Sequence, residues 1–157
     1  MKLFGAMLLD ELGARAAASP RRRAHYNVHA DAADLVQRFF VAMCRDSYIR
    51  PHRHRVRGEL AMVLRGRFEL LTFDDAGTVT GRQTLGEGTA SMGYELAPET
   101  WHMLIAETDG ATFLEIKQGP YDPATAAQFA DWAPSEAEPA AAGFLERARA
   151  VRPGSRP

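Results

Sequence analysis

An all-β fold, an antiparallel sandwich or barrel with short N- and C-terminal helices, is predicted by three features of this 157-residue sequence. Runs of β-branched, aromatic and other apolar residues recur at short, regular spacing between Leu35 and Lys117. Turn signals divide them: Asp74-Asp75-Ala76-Gly77, Gly86-Glu87-Gly88, Ala97-Pro98-Glu99-Thr100 and Thr108-Asp109-Gly110. No helical periodicity separates one run from the next, which leaves hairpin connections and an antiparallel arrangement.

The first element is a short amphipathic helix, with Leu8, Leu9, Leu12 and Ala16 on one side, packed on the domain or on a partner subunit. Lys2 followed by Leu3 to Leu9 has a faint likeness to a secretion signal, but Asp10 and Glu11 interrupt it. No later run approaches the ~18 apolar residues of a membrane span, so a soluble, cytoplasmic protein with no membrane partner is expected. Ser19-Pro20 stops the helix, and Arg21-Arg22-Arg23 reads as a solvated charge run, with anion binding as the alternative.

Strands are expected over 35–43, 59–64, 68–73, 79–85, 90–96, 101–106 and 111–117, with Ser47-Tyr48-Ile49 leading into a histidine pair. Gly119-Pro120-Tyr121-Asp122-Pro123 ends the last of them, because two prolines so close together cannot continue a ladder. Beyond it, Phe129 to Pro134 is placed to cover the barrel, Phe144 to Val151 forms a short helix, and Arg152 to Pro157 is expected to be disordered. The chain thus divides into a helix and arm (1–30), a barrel (31–120) and a coda with its tail (121–157), one domain overall.

A net charge of −1 argues against a dedicated nucleic-acid binder. The single cysteine, Cys44, can form neither an internal disulfide nor a cysteine-rich zinc site, and sits in an apolar run as a small buried hydrophobe.

The chemistry-bearing pattern is Pro51-His52-Arg53-His54 with Glu59 close behind and Trp101-His102 later in the chain. Side chains at i and i+2 of a strand leave the same face ~6.5–7 Å apart, so two imidazoles can converge on one ion at ~2.0–2.1 Å each. Arg55-Val56-Arg57-Gly58 then forms a turn in which Gly58 takes positive φ and Glu59 returns to the same ion. An isolated histidine on a strand is most often a hydrogen-bonded core or surface residue. The carboxylate and the third histidine lift this set above that reading.

Pro51-His52-x-His54-x4-Glu59-x6-Gly66, with Gly93 through Pro98 to His102, resembles the two motifs of the cupin superfamily. Val36-Gln37-Arg38, Ser47-Tyr48-Ile49, Phe73-Asp74-Asp75-x-Gly77, Glu115-x-Lys117-x-Gly119-Pro120-Tyr121 and Trp132-Ala133-Pro134 resemble, more narrowly, the WbuC family of cupin-fold metalloproteins, over about residues 8–136. Asp46 stands where the general motif has glycine, and Ala106 where it has asparagine; neither position supplies a ligand. The resemblance implies a cupin-type jelly roll holding one divalent ion (zinc, iron, manganese or nickel) through His52, His54, Glu59 and His102. It also implies a part in surface-polysaccharide or sugar metabolism, and a homodimer is expected.

Three functions follow from such a site: a metal-dependent isomerase or epimerase acting on a sugar derivative, an iron(II)-dependent dioxygenase, or a non-catalytic small-molecule binding cupin. Tyr48, Glu115 and Lys117 are the candidate acid-base groups. Glu115 and Lys117 share one face of the last strand, either a solvent face with a same-side ion pair or, if that face lines the barrel, the substrate site. All basic residues except Lys2 and Lys117 are arginine, which reflects either codon preference or an anionic sugar ligand. His29, Arg38, Arg55 and Arg57 are the candidate substrate-binding residues.

Overall fold

The computed structural model describes residues 1–157. The elements are α1 (Ala6–Ala18), β1 (Arg23–Asn27), β2 (Val36–Met43), β3 (His52–Arg53), β4 (Glu59–Arg65), β5 (Arg67–Phe73), β6 (Val79–Gly86), β7 (Gly93–Leu96), β8 (Trp101–Ala106), β9 (Ala111–Gln118), β10 (Gln128–Phe129) and α2 (Ala140–Ala150). They form two antiparallel five-stranded sheets, ordered β1-β2-β9-β4-β7 and β10-β3-β8-β5-β6. The all-β sandwich expected from the turn spacing is the architecture observed.

The central strands are covered on both faces, which explains why β8 lacks clean alternation. Every residue of β8 is buried: Trp101, Met103 and Ile105 pack with Phe144 and Leu145 of α2, while Leu104 and Ala106 meet Val41 and Phe113 between the sheets. On the other side, Leu12 and Ala16 of α1 pack on Ala24, Phe40 and Ala42. Four layers result, with α1 and α2 outermost.

Three segments depart from expectation. Arg23 to Asn27 is a strand paired with β2, not a solvated arm: Arg23 is buried, donating to the Tyr48 carbonyl at 2.9 Å and pairing with Glu136 at 2.5 Å. α2 begins at Ala140, four residues before the expected start at Phe144. The last residues are hydrogen-bonded to β6, with the Val79 amide donating to Ser155 and the Gly154 amide to Val79, each close to 2.9 Å. No helix is long and apolar enough to cross a membrane.

The inter-sheet rows change character along their length. From one end, Val63, Phe113 and Val41 are apolar; at the other the same strands present Glu59, Lys117 and Gln37. A cavity of about 470 Å³ occupies the polar end.

Candidate metal centre

β3 has only two residues, with Pro51 before it and the bend at Arg55 and Val56 after it. Its single rung to β8 sets His52 directly opposite His102, and their ring centroids are 4.4 Å apart. The His54 ring lies 5.2 Å from that of His52 and 5.5 Å from that of His102. Glu59 reaches the group from the facing sheet, as the first residue of β4. The ligating atoms of His52, His54, Glu59 and His102 all lie within 4.8 Å of one another.

Gly58 acts differently from expectation: it is not among the positive-φ residues. A Cβ there would stand 3.0 Å from the Leu96 carbonyl oxygen. The bare α-carbon therefore permits close approach to β7, bringing Glu59 into register with Leu96 on one side and Lys117 on the other.

The orientation of the imidazoles carries the chemical information. His52 Nδ1 lies 3.0 Å from the Arg50 carbonyl oxygen, His54 Nδ1 2.6 Å from that of Ala126, and His102 Nδ1 2.9 Å from that of Thr100. A carbonyl only accepts, so each Nδ1 carries the proton and donates it. In the neutral rings every Nε2 is then left with a lone pair. His54 Nε2 faces Glu59 Oε2 at 2.9 Å, and His102 Nε2 faces Glu59 Oε1 at 3.8 Å. Two lone-pair atoms at such a distance are reconciled only by a shared cation, a proton or a metal ion, so the donor set fits a metal. Three imidazoles and a carboxylate suit borderline divalent ions and leave coordination positions open.

Burial keeps His52 and His102 neutral. It holds His52 well below the ordinary histidine value, His102 adding repulsion, and pushes His102 down in the same way. For Glu59, burial opposes ionisation, but its interactions with His54, His102 and Lys117 outweigh it and hold the carboxyl well below the usual range.

Glu59 has two further partners: Tyr94 Oη donates to Oε1 at 2.6 Å, and Lys117 Nζ lies 3.5 Å from Oε2. Glu115, beside Lys117, is pushed up to about 8 by burial first and then by the charge of Glu59, Lys117 opposing. Burial disfavours the Lys117 cation, but Glu115 and Glu59 hold its value above the ordinary one. The face shared by Glu115 and Lys117 lines the cavity.

The remaining sequence-derived candidates separate. His29 lines the cavity, its Nδ1 3.0 Å from the Arg38 amide nitrogen. Tyr48 lies outside the cavity, packed on Phe144, its hydroxyl donating to the Pro134 carbonyl at 2.9 Å. Arg38 pairs with Asp34, Arg55 with Glu99, and Arg57 donates to the carbonyls of Gln118 and Pro120. None of these three arginines lines the cavity. Tyr94 and the Ala126 carbonyl, absent from the sequence reading, both touch the ligand set.

Residues 4–85 match the family model described as "Domain of unknown function (DUF6016)". No curated protein matches the chain. Among solved structures, a cupin 2 domain-containing protein from Halorhodospira halophila superposes with a TM-score of 0.55 at 19% identity, covering 83% of each chain. KdgF from Halomonas sp. gives 0.51 at 16%, covering 65% of this chain and 82% of that one. Oxalate decarboxylase from Bacillus subtilis gives 0.52 at 16%, over 68% of this chain and 27% of that one. At these identities the likeness is one of fold, and the fold is the cupin sandwich.

Proposed function

We propose, from the premise that this chain belongs to the DUF6016 family and carries a cupin fold, that it is a metal-dependent enzyme acting on a small anionic sugar derivative, of isomerase or epimerase type. His52, His54, Glu59 and His102 hold one divalent ion. The observation that carries this reading is the set of three imidazoles, each tied through Nδ1 to a backbone carbonyl so that Nε2 converges on Glu59. When bound, the ion supplies a Lewis acid for a carbonyl or hydroxyl oxygen.

The other groups of the chain supply the proton chemistry. Glu115, with its value near 8, holds a proton at neutral pH beside the ligand set, as a general acid requires. Lys117 stays cationic and stands between Glu59 and the open cavity, where it attracts an anionic ligand. The WbuC-like segments support a part in surface-polysaccharide or sugar metabolism.

Metal content of protein purified without added metal, compared with His54→Ala and Glu59→Ala, tests the central claim. The wild type is expected to carry about one ion per chain, and His54→Ala to lose most of it, because a buried ligand set tolerates no missing imidazole. Equal metal in the wild type and His54→Ala overturns the reading.

A further inference from the structure

The wall of the cavity farthest from the histidines is built by β1. Its residues alternate, so His25 and Asn27 both face the cavity, and His29 follows on the same side. Neither the His25 ring nor the Asn27 amide has a hydrogen-bond partner within the chain, and both are exposed to the cavity mouth. His29 Nδ1 is engaged by the Arg38 backbone, 2.8 Å from its carbonyl oxygen and 3.0 Å from its amide nitrogen, which leaves Nε2 free for a ligand.

Phe39 of β2 lies among them. Its ring centroid is 6.0 Å from that of His25 and 6.3 Å from that of His29, while Lys117 Nζ stands 5.3 Å from it. The ladder places Asn27 opposite Phe39, Phe39 opposite Glu115, and Glu115 opposite Ala61 of β4. β1 and β4 are thus three strand spacings apart, roughly 14 Å along the sheet. Lys117, 3.5 Å from Glu59, is the stepping stone between the two ends. Arg23 is engaged with Glu136 and the Tyr48 carbonyl and takes no part.

An aromatic face ringed by uncharged donors and acceptors, joined to a cationic end, suits a molecule with an anion at one end and hydroxyl groups along the rest. We infer that the ligand is a polyhydroxylated carboxylate of sugar-acid size whose charged end lies at the ion and Lys117 and whose far end lies on Phe39, hydrogen-bonded to His25, Asn27 and His29. This rests on the metal reading above and adds a second subsite that the metal ligands do not touch. Measured from Lys117, whose Nζ stands 5.3 Å from the Phe39 ring, a six-carbon acid extends over Phe39 toward the β1 side chains, whereas a three-carbon one ends beside Lys117.

The experiment compares lactate with gluconate on cobalt-loaded protein, in the wild type and in His25→Leu and Asn27→Leu, following the visible spectrum of the ion and checking metal content after each titration. Both acids present a carboxylate and an α-hydroxyl, so the difference between them isolates the far end. Gluconate is expected to bind about tenfold more tightly than lactate to the wild type, a margin equivalent to one or two satisfied hydrogen bonds. Either substitution is expected to remove most of that margin while leaving lactate affinity and metal content unchanged. Equal affinities in the wild type, or a margin that survives both substitutions, overturns the subsite. Lactate binding that ignores the ion instead overturns the metal reading, whatever gluconate does.

Discussion

Residue types and spacing made the clustering of His52, His54, Glu59 and His102 legible, because only a few side chains bind divalent ions and His-x-His on a strand has one geometric consequence. Tyr94 was not legible: its role comes from the β4–β7 ladder, in which it stands opposite Ala61, two residues from Glu59. Its hydroxyl holds Glu59 Oε1 at 2.6 Å, fixing the carboxylate that faces two histidines. Tyr94→Phe is therefore expected to weaken metal binding about tenfold, as the loss of a group that orients a ligand generally does. Competition with a chromophoric chelator measures this, and an unchanged affinity refutes the role. Glu115 yields a pH prediction. Its carboxyl rises from an ordinary 4.5 in the unfolded chain to about 8 in the folded one, through burial first and the Glu59 charge next. A raised value means that the folded state holds the proton more tightly. The stability from that proton is full below about 4.5 and lost as pH rises through about 8. Glu115→Gln cannot ionise. In metal-free protein its stability relative to the wild type is expected to climb between these limits by a few kcal/mol, read from urea midpoints at pH 5 and pH 8.5. A constant difference across that interval contradicts the assignment.

Gly77 shows how one turn supports several elements. It ends the tight turn between β5 and β6 with φ +84, and a Cβ there would stand 2.7 Å from the Trp132 ring. Trp132 in turn packs on Phe73 at 5.1 Å and on Trp101 at 6.2 Å between ring centroids. Gly77→Ala combines left-handed backbone strain with a steric clash, for an expected loss of about 3 kcal/mol in thermal unfolding with metal affinity unchanged. The same dependence on distant partners explains which elements the sequence revealed. β8 and β9 were readable, since apolar runs bounded by turn signals need no tertiary knowledge. β1 was not, because its cavity face carries Arg23, His25 and Asn27, and a strand whose inner face is polar looks like an exposed arm. β10, two residues long, exists only because β3 offers it an edge. Its approach also brings the Ala126 carbonyl to His54, a contact that no local pattern encodes.

At the scale of the whole molecule, the site lies where the inter-sheet rows run out of apolar residues, so the proposed metal centre is built on the strands that build the fold. β3 with the residue that follows it and β8 bring three histidines from one sheet and β4 brings Glu59 from the other; an ion at their centre would tie the sandwich together at its open end. Removing it with a chelator is expected to lower the melting temperature. Restoring it should stabilise the fold by about 2.7 kcal/mol at a free metal concentration one hundred times the dissociation constant, rising with the logarithm of that concentration. The pH dependence follows from His52 and His102, both held below the ordinary 6.5 by burial. In the folded, metal-free chain these rings remain neutral as pH falls through 6.5, while in the unfolded chain they take up protons there. The stability they contribute is accordingly present above 6.5 and lost as pH falls below it. Proton competition with the ion at His52 and His102 begins only lower still, at the depressed values of these folded rings. Calorimetry at about pH 8, 6 and 5, with and without chelator, separates the two effects. In metal-free Glu115→Gln, where the opposing Glu115 proton is absent, stability should fall over that range, whereas the increment from the ion should be intact at about pH 6 and fall below it. An increment that collapses between pH 7 and 6 places ordinary, exposed imidazoles at the ion and contradicts the buried centre.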